Sequence, residues 1–205
     1  MRDKRNPPML AMIRNGAAAM AVIALSGCIS LSSEPPESLL TLTATASAPA
    51  GTGTAGSRAT AIKVLEPETS ARLSVARVPV QVDATEIAYL KDAVWVEKPS
   101  RLFRTLLAET LRTRTGGLVI DGDDPGVGAA STIRGTLREF GYDARTSSVV
   151  VRFDAIRSEP DGALQTRRFE SVQPGILAEA GPVGDGLNRA ANDVAGQVAD
   201  WVAGG

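Results

Sequence analysis

The spacing of apolar side chains switches between two periods along this chain, and that switching is the strongest constraint on what it can fold into. Leu73, Val75, Val78, Val80 and Val82 recur mostly at every second residue, the spacing of a strand with one buried face. Pro79 in that run predicts an edge position or a bulge. Residues 61–65 and 86–96 read as further short extended stretches. From Pro99 the period lengthens, and Leu102, Phe103, Leu106, Leu107 and Leu111 fall on one face of a helix. Pro99 or Ser100 suits its start and Gly116–Gly117 its end, with Arg112 and Arg114 in the last turn. Residues 118–120 form a short strand, and three longer strands follow at 131–142, 147–157 and 163–172. The second of these puts Val149, Val151, Phe153 and Ala155 on one face and Val150, Arg152, Asp154 and Ile156 on the other. Turn chemistry at 143–147 and 159–162 joins the three as hairpins. A last helix over 186–202 carries Leu187, Ala190, Ala191, Val194, Val198, Trp201 and Val202 in one stripe, with Asp185 placed to cap it. The pattern predicts an α+β domain, a mostly antiparallel sheet covered by two helices.

Ahead of this domain the chain has a different character. Arg2, Lys4, Arg5 and Arg14 precede an apolar run of about ten residues, the layout of an export signal and too short for a membrane-spanning helix. Leu25, Ser26, Gly27 and Cys28 follow, and this tetrad resembles the lipobox of bacterial lipoproteins. The resemblance implies that the Cys28 thiol receives diacylglycerol, that the chain is cut before it, and that the new amino terminus is acylated, with palmitate-type chains holding the protein on a membrane. Ile29, where the best-known lipoprotein sorting rule has aspartate for inner-membrane retention, implies the periplasmic side of the outer membrane. Residues 29–60 are rich in Ser, Pro, Ala, Thr and Gly, which predicts a flexible tether, with residues 39–43 as a short first strand within it. The domain plan is therefore a signal peptide at 1–27, a lipidated cysteine and linker at 28–60, and a folded domain at 61–205.

Absences exclude whole classes of chemistry. The sequence has no histidine, which removes Ser-His-Asp and Cys-His catalysis and histidine-ligated metals. Cys28 is the only cysteine, so no intramolecular disulfide or cysteine-zinc cluster can form. Without the first 27 residues the chain has 18 basic and 22 acidic side chains, a balance that disfavours nucleic-acid binding. Gly51, Gly53 and Gly56 formally match a dinucleotide fingerprint, but no strand precedes them and no helical pattern follows, so they read as linker. The acidic run at 121–126 lacks the glutamate a calcium loop needs, since Thr132 stands in its place. No catalytic residue, cofactor or metal is assigned. Asp123/Asp124 and Asp154/Glu170 are the carboxylate pairs a hydrolase would need, and they read as solvated surface. Tyr89, Trp95 and Trp201 are the aromatics that could either contact a partner or pack in the core.

Three stretches together carry a family resemblance: the lipobox; Leu40-Thr41-Leu42 soon after it; and residues 75–111, where a β-ribbon leads into Tyr89-Leu90, then Trp95, then Leu102, Leu106, Leu107 and Leu111. The chain resembles the ABC-type transport auxiliary lipoproteins, which accompany MCE (mammalian cell entry) lipid-transport systems and include the paraquat-inducible lipoprotein component. It departs from them in having leucine where they have tyrosine near residue 40. The resemblance implies a non-catalytic accessory that docks to an MCE-domain protein, or completes a bridge to the outer membrane, in a system whose ABC permease and ATPase are separate chains. It further implies phospholipid as the cargo class, and a homo-oligomer is compatible with it. The alternative is a structural lipoprotein of another envelope assembly or secretion machine.

Overall fold

Pro99 and Gly116 bound the first helix for reasons local to the chain. The computed structural model, which describes residues 38–122 and 126–204, begins α1 (Pro99–Thr115) at the proline, whose missing N–H is one that a helix start leaves unpaired anyway. The helix stops at Gly116, with φ 63°, a left-handed conformation that costs glycine nothing. Phe103, Leu106, Leu107 and Leu111 are buried on its inner face, and Leu102 is half-buried at the margin.

The second helix, α2 (Ala180–Ala203), begins six residues before the expected start at Gly186. Asp185 is inside it and caps nothing; Glu179 occupies the N-cap without a side-chain hydrogen bond. Gly181, Pro182 and Gly184 are poor helix formers, but Pro182 falls in the first turn, where it is tolerated. Val183, Gly184, Gly186 and Leu187 are buried, so packing overrides propensity here.

Eight strands form the sheet among the described residues. They are β1 (Ile62–Val64), β2 (Glu68–Thr69), β3 (Arg77–Gln81), β4 (Ile87–Val94), β5 (Val119–Asp121), β6 (Ser131–Asp143), β7 (Ser148–Ser158) and β8 (Leu164–Pro174). The sheet is mixed, which corrects the expectation of a mostly antiparallel one. β6 is its spine. On one side the β6–β7–β8 meander is antiparallel, as the hairpin turns require. On the other, β1, β2 and β3 all run parallel to β6, and β5 runs parallel to β1. Only β3 and β4 pair antiparallel on that side. Residues 73–82 are not one strand, because a 3₁₀ turn takes Ala71–Leu73 before β3 begins. Pro79 sits in an interior strand, between β4 and β6, and the β3–β4 register shifts at Arg77/Pro79, so the bulge expected there is what makes proline acceptable.

α2 covers the face of the meander formed by Val149, Val151, Phe153 and Ala155, all of them buried, while α1 lies over β1 and β5 and reaches the meander through Phe103. Phe103 of α1 meets Phe153 edge-on, with ring centroids 5.3 Å apart, a geometry contributing about 0.5–1.5 kcal/mol beyond area burial. The helices also pack on each other. Ala190, Ala191, Val194, Ala195, Val198 and Ala199 are fully buried, small enough for α2 to lie close to both α1 and the sheet.

The chain ahead of Ala61 is not all linker. Residues 40–48 form an extended strap along α2 and α1. Leu40 bridges to Trp95, donating its N–H to Val94 O at 2.7 Å and accepting from Val96 N at 2.9 Å. Thr43 donates its N–H to Asn188 Oδ1 at 2.9 Å, and its carbonyl accepts from Asn192 Nδ2 at 2.9 Å. Thr45 donates to Asn192 Oδ1 at 2.8 Å, and Ala48 to Glu109 Oε1 at 2.7 Å. Leu40, Leu42 and Ala44 pack against the core. The short first strand expected at 39–43 is a single bridge at Leu40, and the bound segment runs on to residue 48, so nine residues of the expected linker over 28–60 are held to the domain. The 51–56 stretch beyond it is exposed and irregular, with neither strand nor helix.

Candidate docking face

The other face of the meander has no covering layer, and its side chains are charged. β7 offers Arg152 and Asp154 there. β8 places Glu170 opposite Arg152, and Arg168 opposite Asp154. β6 contributes two neighbours in sequence, Arg138 and Glu139. They reach this face together because the β6–β7 register shifts between Leu137 and Glu139; a bulge leaves one residue extra on its strand and re-aims its side chain.

These groups form two linked clusters. Asp154 accepts from Arg138 Nε at 2.9 Å, from Arg168 Nε at 2.6 Å and from Arg168 Nη2 at 2.9 Å. Glu139 accepts from Arg72 Nη2 at 2.7 Å and lies 3.9 Å from Arg152 Nη1, while Arg152 also pairs with Glu170. Arg72 is fixed from behind by Gln81 Oε1 at 3.1 Å and the Arg138 carbonyl at 3.0 Å. Arginine suits such a lattice because its planar fork holds two acceptors at once. Apolar groups flank the charges. Val150 faces Val172 beyond one end, and Ile156 faces Thr166 beyond the other. A shallow depression of about 260 Å³ opens beside Arg72, Glu139, Arg145 and Arg152.

The bond from Arg168 holds the Asp154 carboxyl down to about 2 from its ordinary 3.8, against the opposing effect of desolvation and with Arg138 adding to the lowering. A lowered carboxylate pKa stabilises the fold above the ordinary value, and that contribution disappears as pH falls from 3.8 through about 2. Asp154→Asn is expected to lower stability at pH 7 by about 1 kcal/mol, the shift being discounted for solvent screening, and to flatten the acid limb of the stability curve over that window. Urea melts of both proteins at pH 2 to 7 check this; parallel curves would reject it. At the hairpin turn that precedes β7, Arg145 bonds Asp143, lowering that carboxyl and raising its own pKa.

The residues singled out in the sequence are scattered. Trp95 is 1% exposed and meets Phe140 edge-on at 5.5 Å. Tyr89 is half-buried under the Arg77 guanidinium, 4.8 Å from its ring centroid. Trp201 is half-buried against Phe169 at 5.5 Å. Asp154 and Glu170 do not face one another; each faces a guanidinium, and Asp154, held near 2, is no proton donor at neutral pH. Asp123 and Asp124 lie outside the described residues, as do Leu25, Ser26, Gly27 and Cys28. Among the described residues no group of acidic side chains could hold a metal ion. Arg72, Arg138, Glu139 and Arg168 are not among the residues the sequence marks out as a site. The one signal for them was the polar alternate face of residues 150–156.

Among curated proteins none matches this chain. Of the solved structures, protein XCC0632 from Xanthomonas campestris superposes with a TM-score of 0.64 at 13% identity, covering 81% of this chain and 95% of its own. An uncharacterized protein superposes at 0.61 with 14% identity, covering 70% and 92%. At such identities the likeness is one of fold. The sequence match goes further: the model of the ABC-type transport auxiliary lipoprotein component matches residues 40–199, from the first residue of the strap almost to the end of α2, and the chain belongs to that family.

Proposed function

We propose that this chain is a non-catalytic docking lipoprotein of an ABC/MCE-type lipid transport system. Cys28 would anchor it to the periplasmic side of a membrane, the outer membrane in preference to the inner. Its partners would be an MCE-domain protein and the permease and ATPase, with phospholipid as cargo. Family membership supports the transport role. The observation that carries the docking role is the uncovered, ion-paired face of β6, β7 and β8. Pre-paired guanidiniums and carboxylates are already ordered before a partner arrives, so less side-chain entropy remains to be lost on binding, and a mixed-sign pattern selects partner and register. Anchoring raises the local concentration of that face near membrane-bound partners to about the millimolar range.

Affinity capture from solubilised membranes, with co-purified lipids identified by mass spectrometry, tests the reading. MCE and permease subunits are expected. Recovery of outer-membrane assembly or secretion proteins in their place would overturn it. The double variant Arg138→Gln/Arg168→Gln removes two charges that are mostly exposed, 55% and 63%. It is expected to lower recovery of the partner about tenfold, equivalent to about 1.4 kcal/mol, with a melting temperature within a few degrees of wild type, because exposed pairs contribute little to stability. Undiminished recovery would remove this face from the proposal.

A further inference from the structure

The strap decides how far the domain can stand from its anchor, and which part of it faces the lipid. From Cys28 to Leu40 is twelve residue steps, a reach of at most about 43 Å however that chain is arranged. Were the chain first held at Ala61, the limit would be near 120 Å. The shorter limit is set by Leu40, bonded to Val94 O and Val96 N, and the strap behind it is held by side chains on two helices, Asn188 and Asn192 of α2 and Glu109 of α1. Leu40 also fills a place that only glycine leaves open, since a Cβ on Gly184 would come within 2.7 Å of Leu40 Cδ2.

Around the first described residues of the strap, the surface is apolar. Leu39 is 49% exposed, Val96 48% and Val75 38%. They are brought together by backbone pairing: Val96 N–H donates to Leu40 O at 2.9 Å, and Trp95 N–H to Ala76 O at 2.9 Å. Arg77 and Lys98 stand exposed beside them, while the neighbouring Glu97 carboxylate is 3.7 Å from Arg101. Branched apolar side chains with flanking cations are what a phospholipid surface accepts, the first in the acyl boundary and the second at the phosphates. We propose that the Leu39–Val75–Val96 edge is a lipid-contacting edge, kept within reach of the bilayer by a leash that the strap keeps short. This rests on acylation of Cys28, and it adds an orientation to the docking role.

The test uses acylated protein purified from membranes and reconstituted into vesicles of phosphatidylethanolamine and phosphatidylglycerol. Acylation consumes the Cys28 thiol, so a single new cysteine can be labelled with an environment-sensitive fluorophore, at Val96→Cys or, as a reference, at Asp161→Cys. The reference turn is at the far end of α2: Arg157, ahead of that turn, bonds the Val202 carbonyl, eighteen helical residues beyond Gly184, or about 27 Å. Nitroxide-labelled lipid is expected to quench the label at 96 at least threefold more than the label at 161. Adding Leu40→Asp together with Asn188→Ala/Asn192→Ala, which loosens the first attachment point as well as the strap behind it, should bring the two values together while the domain stays folded by circular dichroism. Equal quenching in the unreleased protein overturns the inference alone, and unchanged quenching after release overturns the part assigned to the strap. Purified protein whose Cys28 carries no acyl chain overturns the anchor itself, and the inference with it.

Discussion

Gly135→Val is expected to abolish the stable fold, or to cost at least about 3 kcal/mol if a folded form survives, at the upper end of what overpacking does. Gly135 lies opposite Ala155 in the β6–β7 ladder. A Cβ there would come within 2.0 Å of the Asp154 carbonyl oxygen and 2.9 Å of the Phe153 ring. A clash with a flexible side chain can be relieved by a new rotamer; a clash with a backbone carbonyl can be relieved only by parting the strands. Phe153 cannot yield either, because it is buried against Phe103 of α1, so the displacement would travel into the helix layer. The open face would be lost with the ladder, since the bonds from Arg138 and Arg168 converge on Asp154. Denaturation of wild type and variant in urea, followed by circular dichroism, measures the loss. A midpoint close to wild type would mean that β6 and β7 can separate locally without harm, contrary to the packing described here.

The parts of the fold legible in the sequence are those encoded within a few residues of one another. Residues 99–117 contain a proline, a five-member apolar stripe and a glycine pair, and α1 runs from Pro99 to Thr115. The hairpins of the meander are equally local, and β6, β7 and β8 fall where the alternation and turn residues put them. Strand direction is a different matter. Period-two alternation is the same in parallel and antiparallel pairs, and β1 pairs with β6 across about seventy residues, a contact that no local pattern announces. The strap was legible only in part: residues 39–43 read as a short first strand, while composition hid the rest. Thr41, Thr43, Thr45 and Ser47 suggest a solvated tether, yet they are the exposed members of an alternation whose inner members, Leu40, Leu42 and Ala44, pack on the core. The charged face depended on register. Arg152 opposite Glu170, and Asp154 opposite Arg168, follow from turn length, while Arg138 and Glu139 join them only through the bulge at 137–139, which the residue types do not declare.

Cys28→Ala is expected to move the protein almost entirely from the membrane fraction to the soluble envelope fraction, with no change in the melting of the domain. The second half of that expectation follows from distance along the chain, for Cys28 lies twelve positions ahead of Leu40, the first residue hydrogen-bonded in the strap. The first half follows from what else could hold the protein to a bilayer. No helix among the described residues is long and apolar enough to cross one. The Leu39–Val75–Val96 edge offers three partly exposed side chains, each contributing at most about 1.5–3 kcal/mol when fully buried. A single fourteen-carbon acyl chain gives only marginal, reversible binding, whereas two or more, at about 0.8 kcal/mol per buried CH2, hold a protein stably. On the proposed acylation, removing the thiol would remove all the chains at once, because in the lipobox pathway processing and amino-terminal acylation both follow thiol modification. The edge alone would then give a weak, concentration-dependent association, and capture of transporter subunits should fall with the lost local concentration although the docking face is intact. Fractionation and intact-mass measurement on both proteins decide the matter. An unchanged distribution of Cys28→Ala would mean that a protein partner, and not lipid, retains this chain at the membrane.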